Sequence, residues 1–390
     1  MSGIMQEKRK LCFVTTVSLT MRSFVVETAK YLHDTLQCDV TLICSPDEEF
    51  AASLPEYLHY IPVSMNRGMD LSALKSIWQF IRIFRRERFD LVQYSTPNAA
   101  CYASIAARIT KVPIRLYAQW GIRYTGMTGV TRKLFRLIEK MVCRNSTVIR
   151  AQSFLNMEFS ISEGLYAADK VGVVGYGGTI GVDMQRYDME NKGKWRKEIR
   201  EKYGLSNEDF VFGFSGRITV DKGCRELLSA FKSLVDKGLS AKLFIVGPVD
   251  DNCGIDKDLI SWANRSSSVV MTGAVDNSNM CKYYSAMDVL THPTYREGFG
   301  MVLQEAGALG VPSITTKVPG ASEVFEDGVS AVLVAAKDPV ELEKAMKKLS
   351  TNPDMTVQLG TQAYERTKTR YDRPVMLDNQ QRDYKKILGV

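Results

Sequence analysis

The sequence lacks the features that mark a zinc protein, a disulfide-stabilised protein or a membrane-spanning one. Histidine is scarce, with 3 residues in 390, and the 8 cysteines are scattered without a CxxC pair or a histidine pattern nearby. Zinc is therefore not expected, and free thiols in a reducing cytosol fit this cysteine usage best. No stretch reaches the roughly 18 apolar residues of a transmembrane helix. We therefore expect a soluble or peripheral protein.

The first apolar stretch, in EKRKLCFVTTVSLTM, follows a basic segment but does not have the form of a signal peptide. Its apolar part is about eleven residues long and runs into Arg22 without a small-residue cleavage site. It is rich in Val and Thr and is followed by a helical pattern, which indicates a buried first strand.

What the chain does contain is the composition of an ordinary globular protein, with 45% hydrophobic and 24% charged residues. At 390 residues it is longer than one hydrophobic core usually supports, so two domains are expected. The net charge of +7 suits an anionic ligand or surface, but it also suits a protein without such a partner.

Short apolar, β-branched runs alternate with amphipathic helical patterns in both halves of the chain. Examples are KLCFVTTV, DVTLICS and DLVQYST in the first half, and FVFGFSG, AKLFIVG and DVLTHPT in the second. This alternation indicates parallel sheets covered by helices on both faces, and it breaks near residues 178–192. We therefore expect an α/β protein with two doubly wound, Rossmann-like domains facing across a cleft, where ligands lie at the carboxyl ends of the strands.

In the second half, VFGFSGRITVDKGCRELLSAF places two cations on the loop between a strand and a helix. Arg217 and Lys222 follow the carboxyl end of the strand, and Gly223 opens the helix. Two cations beside the free N–H groups of a helix N-terminus form an anion site suited to a diphosphate. Two solvated charges on a surface loop are the alternative.

Further along, REGFGMVLQEAGALGVP sets two glutamates eight residues apart around a Gly-Phe-Gly turn. Gly298 and Gly300 let the backbone approach a ligand closely and turn N–H groups towards negative charge. We expect Glu297 to project from the loop towards a sugar. Glu305 lies in the following helix, which we expect to end at Gly310, and there it can accept hydrogen bonds from a ribose diol. Alternatively, Glu305 only complements the helix dipole.

The segments SGRITVDKG and HPTYREGFGMVLQEAGALGVPSITTKVPGASEVFEDGVSAVLV together resemble the signature pair of the family-four retaining glycosyltransferases of the GT-B fold. By that resemblance, Arg217 and Lys222 are the phosphate-binding cations, and Glu297 and Glu305 are the glutamates of the E-x7-E motif. The resemblance implies catalytic roles for Glu297, Arg217 and Lys222. It implies a donor site formed by Arg217, Lys222, Gly298, Phe299, Gly300, Met301, Val302 and Glu305.

The resemblance also implies that the two domains bind different substrates. Residues 1–180 would form the acceptor-binding domain and 181–365 the nucleotide-sugar-binding domain, and a helix at 366–390 would cross back to the first domain. The first half resembles the family less closely, because Thr20, Met21 and Arg22 stand where the family has a glycine-rich turn. Where the family has a His-Gly pair, this chain has Trp120 and Gly121, preceded by Gln119, so the residue that replaces the histidine is open.

The first-half segments TTVSLTMRSFVVETAKYL and IRLYAQWGIRYTG are most similar to the bacterial branch that extends lipid-linked polysaccharide or glycan intermediates. The implied reaction moves a hexose or N-acetylhexosamine from a nucleotide diphosphate sugar to a lipid-linked (polyprenyl diphosphate) saccharide, with retained anomeric configuration. Prevalence in the family favours UDP over GDP. Positive charge from the two cations and helix N–H groups would stabilise the departing diphosphate, so neither a metal nor a cofactor is expected. A catalytically silent nucleotide-sugar-binding scaffold and a sugar-nucleotide epimerase are the alternatives.

Two helical patterns of the first half are both amphipathic and basic. LSALKSIWQFIRIFRRER places Leu71, Leu74, Trp78 and Ile81 on one stripe, widened by Ile77, Phe80 and Phe84, and TRKLFRLIEKMVCR adds a second basic helix. Such helices rest on anionic lipid or simply pack on the sheet. We expect a cytoplasmic protein, peripheral on the inner face of the cell membrane, with Arg22, Arg123 and Tyr124 touching the acceptor. Nucleic acid is not expected, because no stacking platform accompanies the charge.

Three other patterns are interpreted as structural. DKD at Asp256–Asp258 imitates a metal-binding DxD but lies in a polar loop, where solvated acids are expected. GYGGTIG at residues 175–181 imitates a dinucleotide loop but falls at the seam between domains. His292 ends a strand, where packing or hydrogen bonding is its expected role.

Overall fold

A computed structural model describes residues 8–65, 72–250 and 253–390. The chain divides into two units, one formed by Met1–Ile180 with Met376–Val390 and the other by Gly181–Val375. The first division therefore falls inside the stretch where the alternation of strands and helices breaks. The assignment of acceptor and donor to the two domains stays a prediction.

The described residues of the first unit form a seven-stranded parallel sheet. Its strands are β1 (Lys10–Val14), β2 (Asp39–Cys44), β3 (Leu58–Pro62), β4 (Leu91–Tyr94), β5 (Ile114–Gln119), β6 (Val148–Ala151) and β7 (Val171–Val173). Their order across the sheet is β3-β2-β1-β4-β5-β6-β7. The chain thus starts in the middle and winds outwards in both directions, and the order reverses between β1 and β4.

Helices cover both faces of this sheet. They are α1 (Ser18–Phe24), α2 (Val26–Leu36), α3 (Glu48–Ala52), α4 (Ser72–Glu87), α5 (Pro97–Ile109), α6 (Gly129–Asn145) and α7 (Phe154–Ser162). Leu11 and Phe13 of β1 join the core under α1 and α2, whereas Cys12 and Val14 join the core under α4 and α5. Because alternate residues point to opposite covered faces, the strand is apolar throughout.

The described residues of the second unit form a six-stranded parallel sheet in the order β10-β9-β8-β11-β12-β13. Its strands are β8 (Val211–Ser215), β9 (Lys242–Val246), β10 (Val269–Met271), β11 (Val289–His292), β12 (Ser313–Thr316) and β13 (Ala331–Val334). Its helices are α8 (Lys192–Lys202), α9 (Cys224–Asp236), α10 (Lys257–Arg265), α11 (Met280–Ser285), α12 (Met301–Gly307), α13 (Pro339–Ser350) and α14 (Pro353–Arg370). Two doubly wound parallel sheets confirm the predicted α/β class.

The C-terminal segment differs from the single helix expected over 366–390. Residues up to Arg370 complete α14, and a separate helix, α15, spans Arg373–Leu388. The break has a clear cause, because Val182 donates to Tyr371 O and accepts from Arg373 N, both at 2.8 Å. From Met376 onwards the chain belongs to the first unit, where Arg150 donates to both carboxylate oxygens of Asp383 at 2.7 and 2.8 Å.

The basic helix α4 buries only part of the stripe that the sequence predicts. Phe80 and Phe84 are buried, but Leu74 and Trp78 are 67% and 56% exposed, and Leu71 lies outside the described residues. Ser76 takes a place on the buried face because its hydroxyl donates to Ser64 O at 2.8 Å, which satisfies the buried oxygen. The helix therefore has two apolar faces, and only the one through Phe80 packs inward.

Helix α6 also leaves apolar side chains in solvent. Val130, Leu134 and Leu137 are 82%, 50% and 63% exposed, and Lys133 and Arg144 are exposed on the same helix. Among the described residues, no helix is both long enough and apolar enough to cross a bilayer.

Candidate active site

The residues predicted to bind the donor lie where the strand order of the second unit reverses. Strands β8 and β11 are neighbours there, so the loops at 216–223 and 293–300 leave the same edge of the sheet. Gly223 lets these two loops pack closely, and Gly320, in the segment after β12, lets its own backbone approach the second loop. A Cβ on Gly223, whose φ is +72°, would lie 1.9 Å from Pro293 O, and one on Gly320 would lie 2.6 Å from Glu297 O.

Glu297 lies at the centre of a hydrogen-bonded cluster on this edge. Lys222 Nζ is 2.9 Å from Glu297 Oε2, and His292 Nε2 is 3.1 Å from the same oxygen. Burial alone would raise the pKa of Glu297, but the hydrogen bond from His292 and the charge of Lys222 outweigh it and lower the pKa to about 2. Glu297 is therefore a fixed anion at physiological pH.

His292 occupies the last position of β11 and is 1% exposed. Burial lowers its pKa, more than the hydrogen bond to Glu297 raises it, so the imidazole is neutral at physiological pH. The expected role of His292 in packing or hydrogen bonding is confirmed, but the sequence did not identify Glu297 as its partner. A polar residue at the carboxyl end of a strand was the available signal, but only the tertiary structure shows that it meets Glu297.

Arg217 is on the same loop as Lys222 but outside the cluster around Glu297. Its guanidinium is paired with Asp250, with Nη1 2.8 Å from Asp250 Oδ2, and its side chain is 63% exposed. The structure thus brings Lys222 and Glu297 together and leaves Arg217 on an ion pair of its own.

The Gly-Phe-Gly turn presents backbone rather than side chains. The ring of Phe299 is 3% exposed and packs edge-on against Tyr371, with centroids 5.6 Å apart. A Cβ on Gly300 would lie 2.7 Å from Leu303 Cδ1, so a larger residue where the turn enters α12 would require the Leu303 side chain to shift. Among the described residues, none accepts a hydrogen bond from the backbone N–H groups of residues 299–302. These donors, including those of Met301 and Val302, are available to an anion.

Glu305 is the fifth residue of α12, and the helix ends at Gly307 rather than at the predicted Gly310. Residues 308–310 form a turn instead of a further helical turn. Gly310, with a φ of +60°, closes this turn by donating its N–H to Gly307 O. Tyr284 donates its hydroxyl to Glu305 Oε2 at 2.8 Å and lies 3.1 Å from Ser215 Oγ. Burial raises the pKa of Glu305, whereas at Glu297 the hydrogen-bond partners and nearby charge outweigh burial and lower the pKa.

A second tyrosine faces Glu305. The hydroxyl of Tyr187 is buried, and burial together with the charge of Glu305 raises its pKa. Tyr187 and Tyr284 have no spacing relation to the E-x7-E motif, so sequence reasoning missed them.

The position that departs from the family in the first unit is engaged internally. Gln119 is 2% exposed, donates to Glu139 Oε1 at 2.7 Å and accepts from the Tyr166 hydroxyl at 2.9 Å. Its neighbour Trp120 is partly buried and packs on Phe24, with ring centroids 5.5 Å apart. Gln119 therefore ties β5 to α6 and to the segment after α7. Which residue takes the place of the family histidine stays open.

Of the three residues expected to touch an acceptor, Tyr124 is the least accessible, and all three stay predictions. Tyr124 is 1% exposed, and its hydroxyl donates to Glu163, because the turn that carries it folds against α6. Arg22 and Arg123 are exposed and lie over the rings of Phe50 and Phe135.

The acidic DKD segment acts as a helix cap. Asp256 accepts a hydrogen bond from Asp258 N at 2.7 Å at the start of α10. Within the described ranges, no three His, Cys, Asp or Glu side chains are grouped as metal ligands would be. That the reaction needs no metal stays a prediction.

Both halves of the chain match models of sugar-transferring enzymes. Residues 196–366 match the model described as "Glycosyl transferases group 1", and residues 10–153 match "Glycosyl transferase 4-like". The capsular polysaccharide biosynthesis glycosyltransferase CapM of Staphylococcus aureus is 31% identical over 351 residues, which cover 90% of each chain. The UDP-Gal:alpha-D-GlcNAc-diphosphoundecaprenol alpha-1,3-galactosyltransferase of Escherichia coli is 22% identical over 309 residues, 77% of each chain.

The fold is shared with solved GT-B enzymes. The crystal structure of Anabaena HepE in complex with UDP and glucose superposes with a TM-score of 0.79 at 19% identity, over 98% of this chain and 100% of that one. Fold and site together define a glycosyltransferase of the GT-B fold. The chain belongs to the family of glycosyltransferases that combine the group 1 domain with the 4-like domain.

Proposed function

We propose that this glycosyltransferase takes a hexose or N-acetylhexosamine from a nucleotide diphosphate sugar, with UDP as the nucleotide, and transfers it to a lipid-linked saccharide. The anomeric configuration is retained, and the product serves a surface polysaccharide such as a capsule or an O-antigen. The observation that carries the proposal is the convergence on one sheet edge of Lys222, Glu297 and the N–H groups of residues 299–302, which find no acceptor within the described part of the chain.

The donor diphosphate is bound by charges and dipoles that need no metal. Lys222 supplies a cation beside Glu297, the N–H groups of residues 299–302 belong to the turn and helix start that follow Glu297, and Arg217 adds a second cation from the loop of Lys222. Groups that are fixed before reaction stabilise a leaving diphosphate without reorganising. An oxygen of that diphosphate takes the proton of the acceptor hydroxyl, so no separate base is required.

The two glutamates contact different parts of the donor: Glu297 the transferred sugar and Glu305 the ribose. Glu297, held as an anion, orients the sugar and stabilises the positive charge that develops on its ring. Glu305 accepts hydrogen bonds from the ribose hydroxyls, with Tyr284 fixing its orientation.

The names of similar proteins support the finer parts of the proposal. CapM is a capsule glycosyltransferase, and the Escherichia coli relative transfers galactose from UDP-Gal to a diphosphoundecaprenol-linked sugar. The HepE crystals contain UDP and glucose. These names support UDP as the nucleotide and a lipid-linked acceptor.

Helices α4 and α6 supply a surface for the lipid. Trp78 of α4 is 56% exposed and Leu137 of α6 is 63% exposed, and both helices carry arginines and lysines beside these side chains. Exposed apolar side chains among basic residues bind the interface of an anionic bilayer. We place the enzyme peripherally on the inner face of the cell membrane, with this surface towards the lipid.

The test of the function is a screen of radiolabelled UDP- and GDP-sugars against membrane lipid extracts with the purified protein. We expect label from one UDP-sugar to enter the lipid fraction. Isomerised donor with no lipid product would indicate an epimerase. Binding of UDP with neither product would indicate the silent scaffold, and both results contradict the proposal.

The membrane surface has its own test. Trp78→Ser should weaken binding to phosphatidylglycerol-containing vesicles about tenfold, since one large apolar side chain is lost from the interface. Co-sedimentation measures this, with Val357→Ser as the control, because Val357 is 70% exposed on α14 in the other unit. Equal vesicle binding by both variants would show that Trp78 of α4 does not contribute to membrane binding.

A further inference from the structure

One oxygen of Glu297 accepts hydrogen bonds from two donors of different kinds. Lys222 reaches Oε2 with a charged ammonium at 2.9 Å, and His292 reaches it with an imidazole nitrogen at 3.1 Å. Lys222 comes from the turn Val220–Lys222 before α9, whereas His292 is the last residue of β11. The two donors therefore belong to separate elements and can act independently.

The imidazole is held firmly by the sheet. Its ring stacks on Phe214 of β8 with centroids 6.2 Å apart and an interplanar angle of 24°. The backbone carbonyl of His292 accepts a hydrogen bond from Thr315 Oγ1 of β12 at 2.9 Å. Lys222 instead reaches Glu297 from a flexible four-carbon stem that is 25% exposed.

The hydrogen bonding of His292 is one-sided. Glu297 is ionised and can only accept, so Nε2 carries the proton. The other ring nitrogen, Nδ1, is buried and has no hydrogen-bond partner among the described residues. Buried polar atoms are nearly always paired, so the contact of Nε2 with Glu297 is the side-chain hydrogen bond that this ring makes among the described residues.

A bound donor would change the balance between the two contacts. Its diphosphate is negative, as Glu297 is, and both attract the same ammonium of Lys222. A neutral imidazole has no net charge for the diphosphate to attract, so its contact with Glu297 is not in competition.

We propose that His292 is a positioning residue that holds Glu297 in place when the donor diphosphate attracts the Lys222 ammonium away from Glu297. The inference rests on the proposed function, because it needs a diphosphate at Lys222. His292 acts through Glu297 and does not itself touch the donor. Its contribution should therefore appear in turnover and not in nucleotide affinity.

Three substitutions separate positioning from packing. In His292→Gln the amide nitrogen can reach the place of Nε2, in His292→Asn it reaches only the place of Nδ1, and His292→Leu fills the space without a donor. We expect Asn and Leu to lower kcat about 100-fold, the effect of a reacting group displaced by about 1 Å. The KM for the donor and the Kd for UDP should stay within threefold, and Gln should restore kcat to within about fivefold of wild type.

The outcomes are distinguishable. Wild-type kcat in Asn and Leu, or a Gln variant as slow as Leu, would overturn the inference. A parallel loss of UDP affinity, measured by calorimetry, would show general damage to the site and would overturn it too. If the Leu variant does not fold, the comparison of Gln with Asn decides. A wild-type protein that neither binds UDP nor transfers sugar would contradict the proposed function itself.

Discussion

Glu297 and Glu305 stand eight residues apart in one loop-helix segment, yet their surroundings push their pKa values in opposite directions. Glu297 has a cation and a buried imidazole on one oxygen, and its pKa is lowered to about 2. Of the residues that the structure describes, a tyrosine but no cation is in hydrogen-bond contact with Glu305, and burial raises its pKa. Two carboxylates of one motif thus carry different charge environments.

The difference indicates different tasks. A carboxylate held ionised by partners can stabilise positive charge that develops during a reaction, whereas one whose charge is opposed by burial suits neutral hydroxyl groups. The motif places two glutamates eight residues apart, and the folded environment of each determines its charge and therefore its role.

The largest expected effect comes from the cations, because they act on the departing diphosphate. Lys222→Ala should lower kcat/KM about 1,000-fold, and Arg217→Ala should act in the same direction. Steady-state transfer assays measure both, with circular dichroism to show that each variant is folded. Lys344→Ala, an exposed lysine of α13, is the control and should match wild type. Near-normal turnover in both variants would contradict the assignment of the diphosphate site.

The next effect tests the charge of Glu297. Glu297→Gln keeps the shape of the side chain but removes the anion, so kcat should fall about 100-fold while the donor KM changes less than threefold. Glu326→Gln, a 63% exposed carboxylate in the same unit, should leave kcat unchanged. If Glu297→Gln raises KM and spares kcat, Glu297 only binds the donor, and the contrast with Glu305 disappears.

The fold was readable from the sequence because both of its signals are local. Apolar β-branched runs and 3.6-residue periodicity predict buried strands and covering helices, and the two sheets have that form. Periodicity does not decide which face of a helix packs inward. On α4 the exposed Leu74 and Trp78 lie on the face that periodicity favours, while Ser76 is buried on the other.

The site was readable as a set of residues but not as a set of contacts. Lys222 and Glu297 were expected at one sheet edge, and they meet there. His292 and Tyr284 were not expected to touch the two glutamates, because those contacts depend on how separate strands and helices come together. Arg217 was expected beside Lys222, but its partner Asp250 follows another strand.

A smaller effect is expected from the second glutamate. Glu305→Gln should raise the donor KM about tenfold with kcat within threefold, because a carboxylate binds ribose hydroxyls more strongly than an amide does. The Kd of free UDP should weaken by the same factor, since UDP carries the ribose. Tyr284→Phe removes the hydroxyl that orients Glu305 and should show part of this loss. An unchanged UDP affinity in Glu305→Gln would place the ribose elsewhere.

The smallest effect is on stability, and here the two glutamates should differ in sign. The pKa of Glu297 is lowered from its ordinary 4.5 to about 2, so its contribution is fully present above pH 4.5 and is lost as the pH falls through 2. The pKa of Glu305 is raised, so its contribution is present at low pH and is lost as the pH rises through the raised value.

At pH 7, Glu297→Gln should therefore lower the Tm of the second unit and Glu305→Gln should raise it, each by about 3 °C. Both differences should shrink at pH 3, where Glu305 is protonated whether folded or not and part of the Glu297 contribution is gone. Scanning calorimetry at the two pH values measures this, with Glu326→Gln as the reference for an exposed carboxylate. Shifts of the same sign at pH 7 would show that the two environments are alike, because only opposed environments move the two variants apart.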